Sequence, residues 1–164
     1  MKEVKSKEYH DYAKQVIRNA KALGEYLVEQ GATLISGGTD NHLLLWDVKP
    51  MGINGAQLEK VCEYAEISLN KNTVIGDKSA VLPGGVRIGT PAITSRGMKE
   101  EDVREVGKFL MRAARISQKY KGMKIKPFEE EIKKDPEVEQ LKNDVIRFAM
   151  SFPVPGLDTE KLKY

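Results

Sequence analysis

The chain has 164 residues, one cysteine and a formal net charge of +3, with 40% apolar and 31% charged side chains. That length fits one domain with a sizeable core, and the small, evenly mixed charge offers no field for nucleic acid. Cys62 alone excludes an intrachain disulfide and suits a reducing compartment, and no run of about eighteen apolar residues is present to span a membrane.

The first predicted element runs from Val4 to Gln30, and the opening stretch Met1–Glu8 lacks the apolar core of a signal peptide. Tyr9, Tyr12, Val16, Ala20, Leu23 and Leu27 recur every three or four residues, the spacing of one helix face, and Gly31 ends the run. Thr33–Ser36 is a predicted short strand entering the Gly37-Gly38 turn. His42–Val48 is a near-continuous apolar run with the length of a buried strand. Asn54-Gly55-Ala56-Gln57 reads as an N-cap with a reciprocal glutamine, opening a helix with Leu58, Val61, Cys62 and Ala65 on one face. Ile67–Leu69 and Val86–Ile88 are the predicted third and fourth strands.

Glu100, Glu101 and Asp102 suit the positive end of a helix dipole, and the helix they open runs to Tyr120. Val103, Val106, Leu110, Ala113 and Ser117 form its inner stripe. Gly122–Lys126 reads as a basic linker, Pro127 and Pro136 each as a first helical residue, and Asp135 as a cap. Val138, Leu141, Val145 and Phe148 give the last helix its face. The expected fold is α/β with two layers: a short mixed or antiparallel sheet with helices on one face.

The chemistry concentrates in Asn70–Gly97. Alternation along a strand puts Val86 and Ile88 on one face and Arg87 on the other, with Gly84, Gly85 and Gly89 close by. Small neighbours let a ligand approach, and a guanidinium grips a carboxylate through two parallel hydrogen bonds. Taken alone, such an arginine is either that clamp or a member of a structural or surface ion pair.

The blocks G-G-T-D-N-H (Gly37–His42), L-N-K-N (Leu69–Asn72), D-K-S (Asp77–Ser79) and G-G-V-R-I-G-T-P-A-I-T-S-R-G (Gly84–Gly97) occur in that order. Together they resemble the C-terminal domain of serine hydroxymethyltransferase, and the resemblance extends from the first helix to Phe152-Pro153-Val154-Pro155-Gly156. It implies the small domain of a fold-type I pyridoxal-phosphate enzyme. Residues 1–30 would be the helix leading from a large domain, 31–157 the small domain and 158–164 a frayed tail. The implied activity interconverts serine plus tetrahydrofolate with glycine plus 5,10-methylenetetrahydrofolate. In it Arg87 would bind the substrate carboxylate, and Asn72 with the segment Ser79, Ala80 and Val81 would line the tetrahydrofolate site. The family's pyridoxal 5'-phosphate lysine belongs to a T-H-K segment absent from this sequence, so the chain alone is expected to be inactive. The resemblance further implies a homodimer or homotetramer; the cytoplasm is the default compartment, with mitochondrial or plastid parents left open. The competing reading is a free-standing, inactive relative serving as a binding or interaction module.

Other candidates carry less. Lys71 and Lys78 lack the T-H-K context and read as loop lysines. Ser36, Asp40 and His42 lie too close in sequence for a hydrolase triad, and Asp40, Asn41 and His42 instead suit the turn into the second strand. His10, His42 and Cys62 are too scattered for zinc, so no metal is expected. Gly76-Asp77-Lys78-Ser79 departs from a phosphate loop because Asp77 intervenes. Lys119, Lys121, Lys124 and Lys126 read as solvated, and Arg96 as a structural arginine pairing with Glu100 or Glu101.

Overall fold

The computed structural model describes residues 2–79 and 81–157; the expectations for Ala80 and for the tail 158–164 lie outside them. Ser6 caps the first helix, α1 (Lys7–Glu29), its hydroxyl accepting from the Tyr9 amide at 3.1 Å. Glu3–Lys5 forms a 3-10 turn ahead of it, so the helix starts later than Val4. There follow β1 (Thr33–Leu34), β2 (Leu43–Asp47), α2 (Gly55–Tyr64), β3 (Asn70–Asn72), β4 (Gly85–Gly89) and α3 (Pro91–Ser95). The chain continues through α4 (Glu100–Lys119), α5 (Ile125–Ile132) and α6 (Pro136–Met150). The sheet order is β1-β2-β4-β3 and every pairing is antiparallel, giving the expected two-layer α/β arrangement.

Period-two alternation sends Leu44, Trp46, Val86 and Ile88 into one core with Leu23 and Leu27 of α1, Leu58 and Val61 of α2 and Leu110 of α4. Each such fully buried side chain contributes about 1.5–3 kcal/mol relative to exposure. The predicted box at the start of α2 is present: Gln57 N–H reaches Asn54 Oδ1 at 3.0 Å and Asn54 N–H reaches Gln57 Oε1 at 3.1 Å.

The third strand is Asn70–Asn72, not Ile67–Leu69. After α2 the chain turns through a left-handed Glu66 (φ 59°), and the Ile67 amide returns to the Cys62 carbonyl at 2.8 Å. That closure uses Ile67 as a helix stop and packs it, with Leu69, against the core. The first strand is shorter than Thr33–Ser36 because Ser36 takes φ 60° and leaves extended geometry. Helix α5 begins at Ile125, inside the expected linker, and Pro127 is its third residue. No intrahelical acceptor exists for an N–H there, so the proline costs no bond.

The Thr90–Gly97 block ties elements together. Thr90 donates to the Val16 carbonyl of α1 at 2.8 Å. Asn19, fully buried on α1, donates to Thr94 Oγ1 at 2.8 Å and to the Met98 carbonyl at 2.9 Å, and accepts from Gln15 at 2.9 Å. Arg96 does not pair with Glu100 or Glu101. It donates to the carbonyls of Ala149, Phe152 (2.9 Å) and Pro153 (3.1 Å), satisfying acceptors that the end of α6 leaves open. Glu100 instead accepts from Gln15 at 2.9 Å and pairs with Arg18 at 3.0 Å.

Asp135 caps α6 as predicted, accepting from the Glu137 amide at 2.8 Å. Lys119, expected to be solvated, is instead 2.9 Å from both Asp135 and Glu137, and the Tyr120 hydroxyl donates to Asp135 at 2.9 Å. Burial opposes the Asp135 charge, but the hydrogen bonds from Lys119, the Glu137 amide and Tyr120 outweigh it and hold the carboxyl below the usual range. With the folded pKa below the unfolded value of about 3.9, this stabilisation is complete above that pH and is lost as pH falls through the folded value. Asp135→Asn should therefore flatten the loss of thermal stability below about pH 4. Parallel melts of the two proteins across that range check it, and an unchanged acid limb would count against it.

Candidate functional site

The sheet has one face against helices and one turned outward. Along β2, Leu44 and Trp46 are buried while Leu43, Leu45 and Asp47 are half-buried, and along β4 Arg87 is exposed between buried Val86 and Ile88. Directly paired residues share a face. Arg87 lies between Leu45 on β2 and Asn70 on β3, and Gly85 lies between Asp47 and Asn72. The outward face therefore presents a central guanidinium, flanking amides from β3 and aliphatic groups from β2.

Arg87 makes no hydrogen bond or ion pair among the described residues. Asp47, an acid on the same face, accepts from the Lys49 amide at 3.0 Å and lies 3.8 Å from the Lys49 ammonium. A cation set between an aliphatic and an amide side chain, with no acid in contact among the described residues, favours an incoming anion, and the guanidinium fork matches a carboxylate. Gly89 adds room beside it: a Cβ there would sit 3.6 Å from Pro91 Cδ and 3.8 Å from the His42 carbonyl, ordinary contacts. The fold does not require a glycine at 89.

Asn72 shares the face with Arg87, and its amide donates to the Thr73 carbonyl at 2.8 Å. Ser79 and Val81 lie in the β3–β4 connection, where the Ser79 hydroxyl accepts from the Val81 amide at 3.1 Å. Ala80 falls outside the described residues. Asn70, opposite Arg87, was missed from sequence because the strand was placed too early; the N-x-N spacing was its signal, since alternate strand residues share a face.

Lys71, read as a loop lysine, stands in β3. Lys71 alternates to the helix side, where its amide donates to Glu59 at 2.9 Å and its ammonium lies 3.7 Å from that carboxylate. The Ser36 hydroxyl donates to its neighbour's carbonyl at 2.6 Å, and Asp40 pairs at 3.5 Å with Lys21. The turn before β2 is held by Asn41, as expected, which accepts from the Leu43 amide, and by Thr39, which donates to the Leu43 carbonyl. Burial raises the pKa of Cys62, disfavouring its thiolate. An apolar cavity of about 300 Å³ lined by Leu23, Ile67, Ile88, Phe109, Leu110 and Phe148 lies on the helix side, away from Arg87. Among the described residues no group of three acids, histidines or cysteines is placed to hold a metal, and no helix is long and apolar enough to cross a membrane.

Comparison with known proteins bears on this face. A family model described as serine hydroxymethyltransferase matches residues 1–110, which include every strand and the Arg87 motif. The chain is 44% identical over 167 residues to serine hydroxymethyltransferase 4 of Arabidopsis thaliana, covering 100% of this chain and 36% of that protein. It is 46% identical over 159 residues to serine hydroxymethyltransferase 5 of the same plant, covering 95% and 34%. It is 42% identical over 166 residues to the mitochondrial serine hydroxymethyltransferase of Candida glabrata, again covering 95% and 34%. The chain thus spans about a third of the length of the curated relatives it matches. With a family model matching well over half of its length and similarity continuing through α6, the chain belongs to the serine hydroxymethyltransferase family.

Proposed function

We propose that this chain is the C-terminal small domain of an enzyme interconverting serine plus tetrahydrofolate with glycine plus 5,10-methylenetetrahydrofolate. The observation that carries the reading is Arg87, exposed in the middle of an open sheet face with no acid paired to it among the described residues. Its fork grips the amino-acid carboxylate, and two-point attachment fixes the rotation of the substrate α-carbon. Asn72, with Ser79, Val81 and the adjoining Ala80, lines the tetrahydrofolate site, where an amide both donates and accepts. Gly89 leaves the space beside the guanidinium for the ligand.

Pyridoxal phosphate supplies the electron sink in such an enzyme. On this reading the chain does not hold it. Lys71 faces Glu59 behind the sheet, the sequence has no T-H-K segment, and no cofactor step is assigned to this chain. A large domain reached through α1 would carry that machinery and cover the open face, in a homodimer or homotetramer. Cytoplasm is the proposed compartment, although the curated relatives include one named mitochondrial.

The test is the native gene product. An immunoblot of source cells should give a band well above the size of the 164-residue chain, and the purified product should convert serine to glycine when tetrahydrofolate is supplied. A product of this size alone, or one without turnover, would return the free-standing interaction module to first place.

A further inference from the structure

We propose that Asp77 is the positioning residue of the folate wall, a carboxylate that staples the connection between β3 and β4 and thereby sets where Asn72, Ser79 and Val81 stand. This rests on the folate reading above. Asp77 Oδ2 accepts from the Val74 amide at 2.9 Å and from the Gly84 amide at 2.7 Å, joining the two ends of the connection through one oxygen. Its Oδ1 accepts from Lys49 Nζ at 3.2 Å, and that ammonium also donates to the Ile75 carbonyl at 3.1 Å. The Asp77 side chain is only 8% exposed.

Three observations make this a positioning device rather than ordinary loop chemistry. First, between its buried ends Val74 and Pro83 the connection has little core to hold it, since Ile75, Val81 and Leu82 are 86%, 75% and 52% exposed. Polar bonds must therefore supply its shape. Second, position 84 has no room for a side chain: a Cβ would come within 2.6 Å of Lys49 Cδ and 2.7 Å of Asp77 Oδ1. The glycine lets the staple close. Third, the Asn72 amide is oriented by the Thr73 carbonyl at 2.8 Å, and Thr73 adjoins the stapled Val74, so the staple is relayed to the ligand-facing group. The Gly84 and Val74 amides, with help from Lys49, hold the Asp77 carboxyl below the usual carboxylate range, which keeps it ionised and accepting near neutrality. The amides that a phosphate loop would offer to an anion are thus already taken by this carboxylate.

The experiment measures tetrahydrofolate and glycine dissociation constants on the complete enzyme carrying this domain. Asp77→Ala removes every arm and should weaken tetrahydrofolate about tenfold while glycine stays within about twofold. Asp77→Asn keeps an oxygen for both amides and loses only the charge facing Lys49, so it should weaken tetrahydrofolate about threefold, and Lys49→Met should do the same. Unchanged tetrahydrofolate affinity in Asp77→Ala, or equal loss of both ligands, overturns the proposal. If Asp77→Ala yields no folded enzyme, the other two variants decide: matched, folate-selective weakening supports it and wild-type affinity overturns it. Wild-type enzyme that binds glycine but no tetrahydrofolate would instead overturn the folate reading itself, a different result from an insensitive Asp77 variant.

Discussion

Arg87→Ala in the complete enzyme is expected to raise the serine concentration for half-maximal rate by about 100- to 1000-fold. Losing one side of a desolvated, charge-assisted carboxylate pair costs about 3–4 kcal/mol, and each 1.4 kcal/mol is tenfold. The fold should barely notice, because the guanidinium has no partner among the described residues and exposed substitutions usually stay within about 0.5 kcal/mol. Arg87→Lys keeps the charge but loses the planar fork, and should recover only part of the effect. Gly89→Ala is the companion: its new methyl meets only ordinary contacts, so stability should hold while serine affinity falls. Steady-state kinetics beside thermal melts read both quantities. A wild-type serine requirement in Arg87→Ala would remove the clamp from the account.

Gly55→Ala is expected to destabilise the domain by about 3 kcal/mol, against what helix propensity alone would say. Alanine exceeds glycine by about 1 kcal/mol in a helix interior. Here, however, the first residue of α2 sits against β4, its amide donating to the Pro83 carbonyl at 2.7 Å. A Cβ at 55 would strike the Gly85 carbonyl and come within 3.1 Å of the Pro83 oxygen, both backbone atoms with nowhere to move. Overpacking of that kind costs about 1–3 kcal/mol and more where backbone must shift. In urea, with slopes of about 1–3 kcal/mol per molar, the midpoint should fall by at least about 1 M. A midpoint at or above wild type would show that α2 can slide away from β4.

The features legible in sequence were those with local causes. The capping box at Asn54 and Gln57, the cap at Asp135 and the alternation around Arg87 follow from side chains that act within a few residues of themselves. The third strand was misplaced because apolarity drew the reading to Ile67–Leu69, whereas Asn70–Asn72 is a strand by pairing with β4. Short edge strands owe their existence to a neighbour, which composition does not display. Helix α3 went unread for a similar reason, being five residues held by Thr90 and Thr94 bonds. Arg96 has carbonyl partners more than fifty positions away, and nearby glutamates were the only visible alternative. At the candidate site the outward position of Arg87 was readable from strand alternation, while the company of Asn70 required the register.

Strand β4 is bonded on both sides, to β2 over five residue pairs and to β3 over three, whereas β3 has a neighbour on one side only. Amides in an interior strand exchange with solvent chiefly when the whole domain opens, and a three-residue edge strand can detach alone. The guanidinium is therefore mounted on an interior strand and the two asparagines on an edge strand. An amino acid would meet a seat carried by the interior of the sheet, while the larger second ligand would meet an edge whose place depends on the Asp77 staple beside it.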